Sequence, residues 1–240
     1  MAANTKPRQR GMSLISLMIG MLISMIGILA GIILYQNMVK VSLKSRVDAA
    51  QDGQLATAML SLQLELQAAG FGIVLADNPG PHWALVGGAA PTLYWRYQDV
   101  SVTPAVVTCR GFRIVDTEAD VHRQLQLLKP NTATNCTLAA NLVALPGGWG
   151  TDPDDPDNPP VVLADFHATG MDGATQSKLP VIALSSSVAS CFPYGLGQAN
   201  NYLMITVTAD SAARRAAIDK GVAPTIAPVV YDFCLPNIPG

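Results

Sequence analysis

Residues 6–40 read KPRQRGMSLISLMIGMLISMIGILAGIILYQNMVK, and this stretch decides the architecture of the chain. The charges stop at Arg10 and resume at Lys40, leaving 29 uncharged residues from Gly11 to Val39. As an α-helix the apolar part, Met12 to Leu34, rises roughly 34 Å at 1.5 Å per residue, enough to cross a hydrocarbon core of about 30 Å. A secretory signal carries an apolar region of only about 7 to 15 residues before a small-x-small cleavage site. This run is longer and continues into Tyr35-Gln36-Asn37, so removal by ordinary signal peptidase is not expected.

The flanks give no orientation, because Lys6, Arg8 and Arg10 on one side balance Lys40, Lys44 and Arg46 on the other. Four cysteines and the size of the following domain favour an oxidising compartment outside the cytoplasm for the head. Within the span, Ser13, Ser16, Gly20, Ser24, Gly27 and Gly31 recur at spacings of three and four and fall on one helix face. Such a stripe, which includes the GxxxG pair Gly27 and Gly31, lets a second helix approach closely in lipid. The alternative is that Gly and Ser are merely tolerated in membrane helices.

The leader Lys6-Pro7-Arg8-Gln9-Arg10-Gly11 followed by Met12-Ser13-Leu14-Ile15-Ser16 resembles the class III signal of type IV prepilins. The resemblance implies that prepilin peptidase cuts after Gly11 and that Met12 becomes the N-methylated first residue of the mature chain. Loss of the three leader cations takes the formal net charge from -2 to -5. The family usually carries Glu as the fifth mature residue, where it pairs with the N-terminal amine of a neighbouring subunit; here that position is Ser16. Members lacking the acid are associated with the filament tip, so Ser16 points to a minor subunit. Gln67-Ala68-Ala69-Gly70-Phe71 resembles the turn that ends the long helix in the PilW family of minor pilins.

The expected fold is therefore α+β and pilin-like, with a long N-terminal α-helix packed on a mainly antiparallel β-sheet head. Residues 1–11 form the leader, 12–39 the transmembrane segment, 40–70 an amphipathic continuation and 71–240 a periplasmic β-rich head. In the continuation, Leu43, Val47, Ala50, Leu55, Met59, Leu62, Leu66 and Ala69 repeat at helical spacing, and Gly70 is a natural stop. Leu60, Leu62, Leu64 and Leu66 also alternate with strand period, but no turn signal separates them from the helix. Strand-like runs follow at Thr92–Tyr97, Ala105–Cys109, Phe112–Val115, Gln124–Leu128, Leu138–Leu145, Val161–Phe166, Val181–Ser185, Tyr202–Thr208 and Pro228–Leu235. Asp210-Ser211 caps a short helix over Ala212–Lys220, closed by Gly221. The cysteines allow three pairings, of which Cys109 with Cys136 and Cys191 with Cys234 is favoured because each clamps neighbouring segments. Free buried thiols are the alternative.

Composition agrees with a folded domain on an anchor. The chain is 50% hydrophobic and 13% charged, against about 25% charged in an average soluble protein, and its mean hydropathy is +0.30. A net charge of -2 supplies no field for a polyanion, so nucleic acid is not an expected partner. His82, His122 and His167 lie far apart without metal-ligand spacing, Gly195-Leu196-Gly197 reads as a turn, and no nucleophile or phosphate-loop motif is present. No enzyme, metal or cofactor is expected. Asp152, Asp154, Asp155 and Asp157 read as a solvated acidic loop, with calcium as the rival. Trp83, Tyr94, Trp95 and Tyr97 read as core, with Trp95 facing away from Tyr94 and Tyr97.

The expected partners are other pilin and minor pilin subunits, prepilin peptidase and inner-membrane lipid. The resemblance implies a single-pass protein of the bacterial inner membrane with a periplasmic head, placed at the pilus tip after assembly. A type II secretion pseudopilin and a signal-anchored periplasmic binding protein are the alternatives.

Overall fold

The computed structural model describes residues 14–74, 82–118, 122–152, 155, 157–168, 179–192, 200–219, 221 and 223–239. Helix α1 runs unbroken over Leu14–Gln67, and the chain divides into two compact units, up to Val47 and from Asp48 onward.

The second unit holds two antiparallel sheets where a single one was expected. Strands β1 (Trp83–Val86), β2 (Thr92–Asp99), β3 (Val106–Glu118), β4 (His122–Leu128) and β5 (Val161–His167) form a five-stranded sheet in sequential order. Strands β6 (Ile182–Cys191), β7 (Asn200–Ala209) and β8 (Val229–Pro239) form the other, with helix α2 (Ala212–Asp219) between β7 and β8. Sequential antiparallel order needs only local connections, consistent with the Gly- and Pro-punctuated runs of the sequence.

The last five turns of α1 supply the centre of the core. Leu55, Met59, Leu62 and Leu66 are buried in one cluster with Trp95, Phe112, Leu125 and Phe166 of the first sheet and Leu203, Ile205, Phe233 and Leu235 of the second. Leu60 and Leu64 are exposed, so the helical period prevails over the strand-like alternation. Leu43 and Ala50 are exposed too, and the buried face begins at Gln51. Gln51 is buried because it accepts a 2.8 Å hydrogen bond from Arg215 Nη2, itself 2% exposed. Asp52 Oδ1 accepts from the backbone N–H of Ala212 at 3.0 Å, which ties the first turn of α2 to α1. Ser211 Oγ accepts from Arg214 N–H at 3.3 Å, the expected cap.

Helix α1 ends at Gln67, three residues short of the expected stop, because Asn237 of β8 donates its side-chain amide to the carbonyls of Gln67 and Ala69, both at 3.2 Å. The turn then docks on β2: Gly70 N–H donates to Arg96 O and Gln98 N–H donates to Phe71 O, each at 2.8 Å. Gly72, at φ +72°, lies so close to β2 that a Cβ would stand 2.3 Å from the Gln98 carbonyl oxygen.

Three expectations about strands are corrected. Ala105–Cys109 and Phe112–Val115 are parts of one strand, β3; Gly111 is no break, since its missing side chain makes room for Tyr94 and Leu128, each 3.2 Å from a Cβ built there. Leu138–Leu145 is not a strand but a run of turns. Asn141 Oδ1 accepts from the N–H of Val143 and bends the chain, while Arg96 takes the carbonyls of Thr137, Leu138 and Ala140 in place of a ladder. Tyr97, two residues after Trp95, shares its face and packs on the main core, whereas Tyr94 packs at a tilt on Trp149, ring centroids 4.8 Å apart, in a second cluster.

That second cluster is pinned by Cys109–Cys136, with Cα atoms 5.8 Å apart, together with Leu128, Leu142, Leu145 and Trp149. Cys191–Cys234 joins β6 to β8 across β7. These are the two pairings favoured from the sequence.

Candidate functional site

In the first unit, α1 presents an apolar surface. Across its most apolar 18-residue window, mean hydropathy is 2.6 and no residue is buried. Large side chains from Leu14 to Val41, such as Ile15, Ile23 and Ile33, stand open. Ser16, Gly20, Ser24, Gly27 and Gly31 lie on the described helix, and nothing stands within 4 Å of a Cβ built on Gly20, Gly27 or Gly31. The space over these three glycines is open. Gly11, Met12 and Ser13 lie outside the described residues.

In the second unit the structure brings together two histidines that looked unrelated in the sequence. His122 opens β4, His167 closes β5, and the two are directly paired in the antiparallel register. Their rings stack with centroids 4.2 Å apart. His122 Nε2 contacts Asp165 Oδ1, and His167 Nε2 lies 3.5 Å from Asp165 Oδ2. Both histidines fall just outside the strand limits expected from the sequence, so their meeting was legible only once the pairing of β4 with β5 was known. His82 is elsewhere, buried beside β2, where burial and then the Arg96 charge push its imidazole below the usual range.

Of the acidic loop, Asp152, Asp155 and Asp157 are described and Asp154 is not. Asp155 Oδ1 accepts from Asp157 N–H at 2.9 Å, so this carboxylate shapes its own turn. Asp157 also borders an open cleft of about 920 Å³ lined by Val107, Cys109, Pro130, Asn131 and Cys136.

The family model described as the prokaryotic N-terminal methylation motif matches residues 6–32. This motif supports reading the N-terminal segment as that of a type IV pilin-like prepilin. No curated protein and no solved structure matches the chain. The match spans the basic leader, Gly11, Met12 and the stripe as far as Gly31, and it ends well before the head. Motif and bare apolar helix together fit a single-pass, membrane-anchored prepilin, for which processing by prepilin peptidase and partners among pilin-like subunits are the general expectation. The head adds a pilin-like α+β arrangement, a long helix against antiparallel strands.

Proposed function

We propose that the chain is a minor subunit that takes part in initiating or capping a type IV pilus, that it is cleaved after Gly11 and methylated on Met12, and that it is not an enzyme. Ser16 carries this reading. An uncompensated carboxylate inside lipid is costly, so a subunit with serine there has no need to dock beneath an earlier one and suits the first position. The turn at Gln67-Ala68-Ala69-Gly70-Phe71, which resembles that of the PilW family, fixes the helix end to the head. Two disulfides suit a periplasmic head. The stripe from Ser16 to Gly31 is the surface on which neighbouring subunits pack, and a type II secretion pseudopilus uses the same parts.

Deleting the gene is expected to remove surface filaments, or pseudopilus-dependent secretion, while the bulk subunit remains in the membrane. A Gly27→Leu copy restores filament number and recovery of partner subunits roughly three- to tenfold less well than wild type, since it fills the open space over the glycine. Normal filament numbers in the deletion strain contradict an initiating role. The cleft beside Cys109–Cys136 favours a second reading, an anchored periplasmic binding protein, in which residues 1–11 stay joined to the chain.

A further inference from the structure

We propose that His122, Asp165 and His167 form a binding site for a divalent transition-metal ion, with Zn²⁺ as its occupant. Nothing in the prepilin reading calls for such a site.

Strand period places the three ligands together. Asp165 and His167, two apart, point to the same side of β5, and His122 stands opposite His167 on β4. Their neighbours Leu125, Ala164 and Phe166 point the other way into the core, so the cluster lies on the sheet face away from it. One ligand atom from each of the three residues falls within 4.8 Å of the other two, the one such grouping among the described residues. Tetrahedral zinc with bonds of about 2.0–2.1 Å needs ligand atoms about 3.3 Å apart. The 3.5 Å between His167 Nε2 and Asp165 Oδ2 is already close to that, and a turn of the His122 ring away from Asp165 Oδ1 brings the third ligand into range.

The surroundings suit a cation. Arg123, the nearest cation in sequence, is drawn to the other face of β4, where it forks onto Asp116 at 2.6 and 2.8 Å and holds that carboxyl below its usual range. On the ligand face runs a relay of amides: Arg113 donates to Gln126 Oε1, Gln126 Nε2 donates to Gln124 Oε1 at 2.7 Å, and the Gln124 amide lies 3.5 Å from His122 Nε2. The amide contacts the same ring nitrogen as Asp165 does, so an ion bound there takes its place. Gln51 Nε2 anchors the end of β5 by donating to the His167 carbonyl at 3.3 Å.

The donor set selects the ion. Two imidazoles and one carboxylate suit zinc and its neighbours, whereas calcium and magnesium take oxygen throughout. Side-chain exposure rises from 17% at His122 to 38% at Asp165 and 56% at His167, which leaves one side of the site open. A fourth ligand, water or a group from another molecule, enters there.

The test uses the full chain in detergent, made without a polyhistidine tag and stripped with chelator. Calorimetric titration with Zn²⁺ is expected to show one ion per chain, and Co²⁺ to give the visible absorption of a low-symmetry site that Zn²⁺ abolishes and Ca²⁺ does not. His167→Ala and Asp165→Asn each weaken Zn²⁺ binding by about 100-fold, while melting in chelator stays at the wild-type temperature for His167→Ala, whose side chain is largely exposed. No saturable Zn²⁺ binding, or binding that both substitutions leave unchanged, overturns the proposal.

Discussion

Replacing Arg96 with leucine is expected to destabilise the head by about 2–4 kcal/mol, the scale for removing a buried charged donor from three partly buried carbonyls. Arg96 is fully buried on β2, and burial depresses its guanidinium pKa. Its nitrogens serve the carbonyls of Thr137, Leu138 and Ala140, so one side chain does for the 138–145 segment what a strand ladder would otherwise do. Leucine fills similar space and offers no donor. Arg96→Lys falls between wild type and leucine, since an ammonium cannot fork across three carbonyls. Denaturant unfolding followed by near-ultraviolet circular dichroism of Trp149 and Tyr94 reads the effect where it acts. A loss below about 1 kcal/mol refutes the role given to this side chain.

The second large effect lies on the helix. Leu62→Ala removes a fully buried side chain from the cluster that both sheets share, and such truncations cost about 2–5 kcal/mol. Leu60→Ala, at a position 58% exposed, is expected to stay within about 0.5 kcal/mol. Denaturant midpoints of the two variants provide the comparison. Equal losses contradict the helical register, because the strand-like alternation puts Leu60 and Leu62 on one side. The link from sequence to function runs through this register. The helix that carries the prepilin motif at its start is continuous with the core of the head at its end, so a subunit with an unfolded head has no ordered end to its helix.

Much of this was readable before any coordinates. A 29-residue charge gap, a basic leader and helical spacing from Leu55 to Ala69 depend on local pattern, and local pattern survives folding. The disulfide pairing followed from the same view of clamped neighbouring segments. What escaped the sequence depended on contacts distant along the chain. Leu138–Leu145 has the composition of a strand but lacks a partner; a cation forty residues away satisfies its backbone instead. Gly111 looked like punctuation because a glycine that admits Tyr94 from the next strand cannot be told, in one dimension, from a glycine that turns. Leu43 and Ala50 matched the helical period but precede the stretch that the head covers. The meeting of His122 with His167 rests on a register across 45 positions, which no spacing rule reports.

The most direct test of the central claim is the intact mass and N-terminal sequence of the protein extracted from its native membrane, with and without an active prepilin peptidase. The account predicts a chain that starts at Met12 only when the peptidase is active, heavier by about 14 Da for one methyl group. A chain that keeps residues 1–11 in the presence of the peptidase contradicts it.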